Sequence, residues 1–315
     1  MDRISKLPIG VIETILCLLP IQEAARTSIL SKEWRYHWLK IPKLAFDEDA
    51  FELSVLDQAV DRLSGWKVMT KRCRLFYAIF QVLLVHEGPI HEFILSMRVD
   101  GSYVEIDHIL LHLSKKNTLK ILKLDFKGIY SVPQRSCYRN MDVPGDSTIA
   151  DFITCLLNIE YLSVWFDICL SFLPFPKELP TTLIHLKYLC MEGLWLRHKY
   201  GVPNLVLLIK SSPNLEKLKL EISVDDLFDE SEMGSVTVDD YLDIMLRHLN
   251  DLEILHFSDE DNELDFVKLI LAKSPVLKKA SILLWDQFDK DERLHMSQIL
   301  LSSPCASPVV KLSVS

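Results

Sequence analysis

A helical period dominates the apolar positions of the first forty residues. The pattern opens at Leu7-Pro8, where proline is tolerated because the first turn of a helix makes no use of its N–H. Apolar residues then recur at helical spacing, with Val11 and Leu18 widening a stripe made of Ile12, Ile15, Leu16 and Leu19. Pro20 ends this helix. The segment therefore predicts a short helix with too much apolar surface for a small surface helix.

Two further short helices are predicted in the same head. Residues 22–30 form the second helix, and the small residues Ala24, Ala25 and Ser28 permit a neighbour to approach closely. The third helix follows Ser31 and places Trp34 and Trp38 on one face at i,i+4 spacing. Three helices in about forty residues show more apolar surface than they can bury among themselves. The head therefore either caps the rest of its own chain or docks on an outside partner.

From residue 90 onward, a six-residue frame recurs with apolar residues at its first, fourth and sixth positions. Eight copies lie 25 to 40 residues apart and begin at Ile90, Leu119, Ile159, Leu186, Leu215, Leu252, Leu277 and Val309. Amphipathic stretches between the frames predict helices at 106–113, 202–210, 241–249, 264–271 and 294–301. A single strand and helix cannot bury their apolar faces alone. The units should therefore stack, with their strands in one curved parallel sheet.

Some stretches depart from this repeat. Residues 128–147 and 173–182 are rich in proline and are predicted to be loops, which often carry recognition on such scaffolds. Residues 44–89 have a mixed helical pattern. An ordinary doubly wound α/β protein would also alternate strand and helix, but it would not repeat the same frame. No glycine-rich phosphate loop follows any predicted strand.

Charge and composition narrow the class of protein. Of 315 residues, 49% are hydrophobic, which is enough for a sizeable core. The net charge of −9 is uneven: residues 221–265 hold sixteen acids against Arg247, whereas residues 1–43 carry seven basic residues against four acids. The acidic segment would repel phosphate backbones, so we expect no nucleic-acid partner. No window approaches the roughly eighteen apolar residues of a membrane span, and seven scattered cysteines suit reduced thiols. We expect a cytoplasmic or nuclear protein, or one found in both.

Few residues point to catalysis, metal or cofactor. The chain has no Gly-x-Ser-x-Gly elbow, no Walker-type loop and no His-Glu-x-x-His. His108 and His112 could share a metal at i,i+4 spacing, but no third ligand is indicated. The acids between residues 221 and 265 lack calcium-loop spacing. The sequence therefore favours a protein that is not an enzyme and has no metal or cofactor.

Specific motifs at both ends of the chain resemble one known family. At the head they are residues 2–8, 15–16, 19–20, 24–32 and 34–38, which resemble, nearly position for position, the F-box of the plant F-box/FBD/leucine-rich-repeat family. In the C-terminal part, residues 252–255, 266–271, 274–279 and 306–308 resemble the FBD module of that family. The frame spacing brackets the leucine-rich-repeat period of roughly 20–29 residues, with insertions. Irregular repeat lengths and the lack of an asparagine ladder depart from regular repeats of this kind.

The resemblance implies an α/β fold in which a three-helix F-box precedes an irregular leucine-rich-repeat solenoid. In this solenoid a curved parallel sheet carries helices on its convex side. We divide the chain into an F-box (1–43), a helical connector (44–89), a leucine-rich-repeat region (90–245) and FBD-like C-terminal repeats (246–315).

The resemblance also implies the function of substrate-recognition subunit of an SCF-type ubiquitin ligase. The F-box would bind a Skp-type adaptor and, through it, a cullin scaffold. The residues that would divide between the F-box core and the adaptor contact are Leu7, Pro8, Ile12, Ile15, Leu16, Leu19, Pro20, Ile29, Leu30, Trp34 and Trp38. The concave face of the solenoid would bind a target protein through side chains between the buried frame positions, which are Tyr161, Ser163, Trp165, Tyr188, Cys190, Lys217 and Lys219. Two alternatives are an interaction protein acting outside an active ligase and a small-molecule co-receptor.

Overall fold

The computed structural model forms two compact units, residues 1–129 and residues 130–315. It describes residues 7–32, 34–50, 64–99, 104–128, 156–165, 179, 181–196, 201–223, 244–258 and 261–315. Almost all of the loop predicted at 128–147 lies outside the described residues, as do residues 173–178 of the second loop. His108 and His112, the two histidines that could share a metal, both lie in the described part of the first unit. The four-part division of the sequence stays a prediction.

The head of the first unit consists of short helical segments. Helices α1 (Ile9–Cys17) and α2 (Ile21–Arg26) are followed by two 3₁₀ helices, Thr27–Ile29 and Trp34–Lys40. A proline precedes each α-helix, and its carbonyl accepts an early N–H of that helix: Val11 donates to Pro8 at 2.9 Å, and Ala24 donates to Pro20 at 3.0 Å. Proline is suited to these positions because its own missing N–H costs no hydrogen bond there.

The third segment of the head differs from the prediction. Trp34 and Trp38 were expected to share a face of an α-helix, but residues 34–40 form a 3₁₀ helix, in which residues three apart eclipse one another. Trp34 accordingly meets His37, with ring centroids 6.3 Å apart in an edge-to-face arrangement. Trp34 is buried and Trp38 only half-buried. The i,i+4 expectation was therefore wrong.

Three parallel strands complete the first unit. Strands β1 (Lys43–Asp47), β2 (Glu92–Val99) and β3 (Ile121–Gly128) pair in chain order. Helix α3 (Ser64–Val85) lies between β1 and β2 in the chain, and α4 (Val104–Ser114) lies between β2 and β3. All six apolar residues of the two predicted frames are buried. The frames at Ile90 and Leu119 are thus confirmed.

Strand β1 is a repeat that the sequence analysis missed. Ile41, Leu44 and Phe46 fit the six-residue frame and are buried, and the register pairs Leu44 with Phe93. The rings of Phe46 and Phe93 lie 5.7 Å apart. Sequence reasoning missed this frame because it directly follows the helical head and was assigned to the F-box and the connector. The first repeat therefore begins inside the predicted F-box (1–43).

In the described part of the second unit, six parallel strands follow one another in chain order. They are β4 (Tyr161–Trp165), β5 (Tyr188–Leu194), β6 (Lys217–Ile222), β7 (Asp251–Phe257), β8 (Lys279–Leu284) and β9 (Lys311–Val314). Helices α5 (Gly201–Lys210), α6 (Asp261–Lys273) and α7 (Lys290–Leu301) precede β6, β8 and β9. A helical head followed by parallel strands with connecting helices confirms the predicted α/β class.

Most frames of the second unit are confirmed, but one was out of register. Strand pairing aligns Leu218 with Leu252 and Leu220 with Ile254, so the frame of β7 begins at Leu249. Leu249, Leu252 and Ile254 are all buried, whereas Leu255, taken as the fourth frame residue, is half-exposed. The helix predicted at 241–249 was also wrong where the structure describes it, because residues 244–250 lead into this strand without a helix.

The last frame has the right register but little burial. Leu312 pairs with Ala280 and Val314 with Ile282, as its spacing requires. Val309 is nevertheless 66% exposed, and Leu312 and Val314 are half-exposed. In the described part of the chain no further strand pairs with β9, so the frame residues of β9 have a neighbouring strand on one side. The frame of β1 also pairs with one described strand, but it is buried because α2 and α3 pack against β1. Full burial of an edge frame therefore depends on another element that covers it.

Polar side chains join successive repeats just before their strands. The Thr118 hydroxyl donates to the Ile90 carbonyl at 3.0 Å, the Asn214 amide donates to Ile184 at 2.8 Å, and the buried Ser307 hydroxyl donates to Leu277 at 2.6 Å. Each bond spans 28 to 30 residues of chain. Threonine, asparagine and serine side chains thus link neighbouring repeats by hydrogen bonds, as the side chains of a regular asparagine ladder would.

The corrected register predicts that alanine substitutions at Leu249, just before β7, and at Leu255, within β7, lower the free energy of unfolding by different amounts. Leu249→Ala should lower the free energy of unfolding by about 2–5 kcal/mol, because it leaves a cavity in a fully buried site. Leu255→Ala should cost about 1 kcal/mol or less, because Leu255 is half-exposed. Urea unfolding of both variants checks this. Equal costs, or a larger cost at Leu255, would contradict the register.

Candidate functional site

Helix α1 buries one side and exposes apolar residues on the other. Ile12 and Leu16 are buried, whereas Val11, Ile15 and Leu18 are exposed. The three exposed residues follow i,i+4,i+7 spacing and therefore lie along one side of the helix. Leu18 is 81% exposed. A helix with a buried and an exposed apolar stripe has more apolar surface than the unit's core uses.

A second group of exposed apolar residues follows α2. Ile29 is 86% exposed and Leu30 is 65% exposed, at the end of the first 3₁₀ helix. Together with α1 they make up the exposed apolar set of the head, which we define as Ile9, Val11, Ile15, Leu18, Ile29 and Leu30. Isolated exposed leucines are ordinary, but six such residues within twenty-two positions are characteristic of a protein-binding surface.

The structure sorts the predicted adaptor-binding residues by exposure. The buried ones are Ile12, Leu16 and Trp34; the half-buried ones are Leu7, Leu19 and Trp38; the exposed ones are Pro8, Ile15, Pro20, Ile29 and Leu30. Sequence reasoning did not select the exposed Ile9, Val11, Leu18 and Tyr36. The helical periodicity of the sequence did indicate Val11 and Leu18, as the residues that widen the apolar stripe of the first helix. Whether each exposed residue contacts an adaptor stays a prediction.

A second surface lies on the sheet of the second unit. Side chains that alternate with the buried frame residues on β4–β9 share one face, which we call the open face. Strand pairing arranges them in rows across the strands. The first row is Tyr161, Tyr188, Lys217, Asp251, Lys279 and Lys311, and the second row is Ser163, Cys190, Lys219, Glu253, Ser281 and Ser313. Beyond the second row, Trp165 pairs with Glu192, and Glu221 lies two residues beyond Lys219 on β6.

All seven predicted target-binding residues lie on this open face. Their register brings Tyr161 beside Tyr188, Ser163 beside Cys190, and Cys190 beside Lys219. Lys217 is exposed, five of the others are partly buried, and Cys190 is buried. The structure thus assembles the residues on one surface, and their role in target binding stays a prediction.

Tyr161 and Tyr188 form the aromatic part of the open face. Their rings stack with centroids 4.2 Å apart and an interplanar angle of 4°. Burial raises the pKa of both phenols, and the nearby Cys190 and the hydrogen bond between the two hydroxyls contribute further to the raised pKa of Tyr188. Both side chains are therefore neutral at physiological pH. The pair presents an uncharged aromatic surface to a ligand.

Cys190 is not suited to act as a nucleophile. Burial, followed by the negative charge of Glu192, raises the pKa of its thiol to about 11. The thiol also points to the Glu192 carboxylate, with Sγ 3.6 Å from Oε1. At neutral pH the reactive thiolate is a very small fraction of the population. Cys190 thus belongs to the surface as a packing residue.

Two strands of the open face carry a bulge at the same level. Strand β5 shifts register between Met191 and Leu194, and β7 shifts between Ile254 and Phe257. The bulge residue is Gly193 in β5, with φ +68°, and His256 in β7, with φ +57°. A Cβ at Gly193 would lie 2.9 Å from Nε1 of Trp165. Glycine at this position therefore lets the Trp165 indole lie against the backbone of β5.

The two histidines that could share a metal differ in exposure. His108 is exposed on α4, whereas His112 is half-buried, and burial, Lys116 and Lys115 lower the pKa of His112. Within the described ranges, no three His, Cys, Asp or Glu side chains are grouped to hold a metal ion. Of the helices that the structure describes, none has the length and apolar character needed to cross a bilayer.

Comparison with known families identifies both ends of the chain. Residues 4–45 match the family model described as F-box domain, and residues 244–282 match the model described as FBD. The resemblance to the plant F-box/FBD/leucine-rich-repeat family is confirmed. The F-box match covers the helical head through β1, and the FBD match covers the chain from just before β7 to β8. Neither matched model is that of a catalytic domain.

Relatives from Arabidopsis thaliana extend the similarity between these ends. An F-box/FBD/LRR-repeat protein is 26% identical over 418 aligned positions, which cover 99% of this chain and 98% of that protein. A putative F-box/FBD/LRR-repeat protein is 31% identical over 123 residues, or 39% of this chain and 22% of the relative. Another F-box/FBD/LRR-repeat protein is 49% identical over 51 residues, or 16% of this chain and 11% of its own. The similarity is therefore end to end in the first case and local in the other two.

Substitutions at the two bulges should differ in their effect on stability. Gly193→Ala should lower the free energy of unfolding by about 1–2 kcal/mol or more, because alanine is strained at positive φ and its Cβ would collide with Trp165. His256→Gly should change the stability by less than about 1 kcal/mol, because glycine relieves the same strain while losing only a half-exposed side chain. Thermal and urea unfolding measure both. A Gly193→Ala variant as stable as His256→Gly would contradict this account.

Proposed function

We propose that this chain is the substrate-recognition subunit of an SCF-type, cullin-RING ubiquitin ligase. Its F-box binds a Skp-type adaptor, which links it to a cullin scaffold, and its repeats bind a target protein. The observation that carries the proposal is the exposed apolar set of the head, which lies within residues that match the F-box model. The names of the relatives, which combine F-box, FBD and leucine-rich repeats, support the same role.

The physical basis for adaptor binding is the apolar surface that the head leaves exposed. Burying a leucine or isoleucine side chain contributes roughly 1.5–3 kcal/mol. Leu18, Ile29 and Leu30 are each more than half exposed, so a partner that covers them gains several such contributions against the cost of association. The buried Ile12, Leu16 and Trp34 instead hold the helices together. The surface and the core of the F-box are thus made of different residues.

The proposed mechanism is proximity and needs no catalytic group in this chain. One part of the protein holds the adaptor and the scaffold, and another part holds the target. The lysines of the target then meet the charged ubiquitin carrier at high effective concentration. The open face of the second unit supplies the target surface, because its side chains are accessible and include the aromatic pair Tyr161 and Tyr188.

An acidic residue placed on the exposed apolar set should weaken adaptor binding without unfolding the head. For Leu18→Asp and Ile29→Asp we expect the affinity for a purified Skp-type adaptor to fall at least about tenfold, since a carboxylate would have to be desolvated in the contact. Calorimetry of the full chain with the adaptor measures the affinity, and circular dichroism checks the fold.

Matched variants separate binding from folding. Leu294→Asp makes the same change at an exposed leucine of α7 and should leave adaptor binding unchanged. Leu16→Ala removes a buried core residue and should reduce stability together with binding. If the wild-type chain fails to bind any Skp-type adaptor, the ligase proposal is wrong. If the adaptor binds but no cullin joins the complex, the chain acts outside an active ligase.

A further inference from the structure

The first row of the open face ends in two neighbouring lysines. Lys279 of β8 and Lys311 of β9 are direct partners in the register, and both are exposed. Like charges directly opposite each other on adjacent strands destabilise a sheet. The row contains a single acid, Asp251, which lies between Lys217 and Lys279 in the register and approaches the Lys217 ammonium at 3.4 Å. In the part of the chain that the structure describes, no carboxylate lies within 4.0 Å of the Lys279 or Lys311 ammonium.

Hydroxyl groups lie next to this lysine pair. Ser281 and Ser313 are direct partners in the second row, two residues beyond Lys279 and Lys311 on the same face. Both remain accessible, and the Ser313 hydroxyl donates to the Ala280 carbonyl at 3.3 Å. The Ser281 hydroxyl can donate a hydrogen bond to a carboxylate that the lysines attract, whereas the single O–H of Ser313 already donates to Ala280. The end of the open face therefore combines two cations with two hydroxyl groups.

Two acids of the open face, Glu192 and Glu221, have partners within the chain, whereas Glu253, next to Ser281 in the second row, has no ion pair within 4.0 Å among the described residues. Glu221 lies 3.7 Å from Nδ1 of His256, and Glu192 accepts the Cys190 thiol. A basic ligand would have to compete with those contacts and would be repelled by Lys279 and Lys311. An acidic ligand could pair with the exposed Lys279 and Lys311 ammonium groups without displacing an ion pair. Glu192, Glu221 and Glu253 would also favour the first row for the carboxylates of an acidic ligand.

An apolar anchor lies at the other end of the same row. The stacked rings of Tyr161 and Tyr188 belong to β4 and β5, and Lys279 and Lys311 belong to β8 and β9. Neighbouring strands are about 4.8 Å apart, so Tyr188 and the lysine pair are separated by roughly 14–19 Å along the row. An extended peptide advances about 3.3 Å per residue, so it covers this span in about four to six residues.

We propose that the open face of the second unit binds an extended acidic segment of the target protein. An apolar or aromatic side chain of that segment packs on the Tyr161–Tyr188 pair, and its carboxylates, about four to six residues away, pair with Lys279 and Lys311. This inference rests on the proposed function and names the chemical class of the target segment. Because both contacts lie in the first row, the segment crosses the strands.

A random ten-residue peptide display library tests this proposal with the full chain purified in the presence of its adaptor. The wild-type chain should select peptides that carry two or more Asp or Glu residues about four to six positions from an aromatic or large apolar residue. For the charge-reversed Lys279→Glu/Lys311→Glu variant that selection should disappear. The affinity of a selected peptide should fall at least about tenfold in the variant, and wild-type binding should weaken with added salt.

A matched variant controls for net charge. Lys268→Glu/Lys290→Glu makes the same charge change on helices α6 and α7, and it should select the same acidic peptides as the wild type. Circular dichroism confirms that both double variants are folded. Peptides without acidic enrichment, no selected peptide at all, or the same acidic peptides on Lys279→Glu/Lys311→Glu would each overturn the inference.

Adaptor binding measured on the same samples separates the two proposals. If the adaptor binds and acidic selection is absent, the open-face inference fails while the ligase proposal stands. If acidic peptides are selected through Lys279 and Lys311 but no Skp-type adaptor binds, the ligase proposal fails. In that outcome the open face is an acidic-peptide site of a protein with another role.

Discussion

No repeat of this chain can bury its own frame. A strand of four to eight residues and one helix leave the frame residues half covered, so each repeat depends on the strands or helices packed beside it. The contrast between β7 and β9 illustrates this constraint: Leu252 and Ile254 are buried between two neighbouring strands, whereas Leu312 and Val314, with a described strand on one side, are half-exposed. The alternation that buries the frames is also what places polar and aromatic residues together on the open face.

The head of the chain likewise separates residues that form its core from residues that form its surface. Ile12 and Leu16 on one side of α1 hold the helices together, and Val11, Ile15 and Leu18 on the other side remain exposed. Helical periodicity alone could identify the apolar residues of α1 but could not divide them, because both stripes are equally apolar. The division depends on which side faces the second 3₁₀ helix, and that is a tertiary property.

Sequence periodicity predicted the class of the fold, the positions of most frames and the assembly of seven residues on one face. It failed where two frames overlap in sequence. Leu249, Leu252 and Ile254 fit the frame, and so do Leu252, Leu255 and Phe257, so only pairing with β6 decides between them. The bulge in β7, with His256 at positive φ, is what brings Phe257 back to the buried side and creates this ambiguity. Trp38 was misplaced for a different reason, since spacing cannot distinguish a 3₁₀ helix from an α-helix in so short a segment.

The hydrogen bonds of Thr118, Asn214 and Ser307 bear on how such a chain can change length during evolution. Each bond fixes the backbone just before a strand to the preceding repeat, so an insertion there would break it. Insertions after a strand leave these bonds intact. From the end of β6 at Ile222 to the start of β7 at Asp251 the chain advances 29 residues, against 22 from Phe257 to Lys279. New segments can therefore accumulate after the strands, while the spacing of the frames within each strand is preserved.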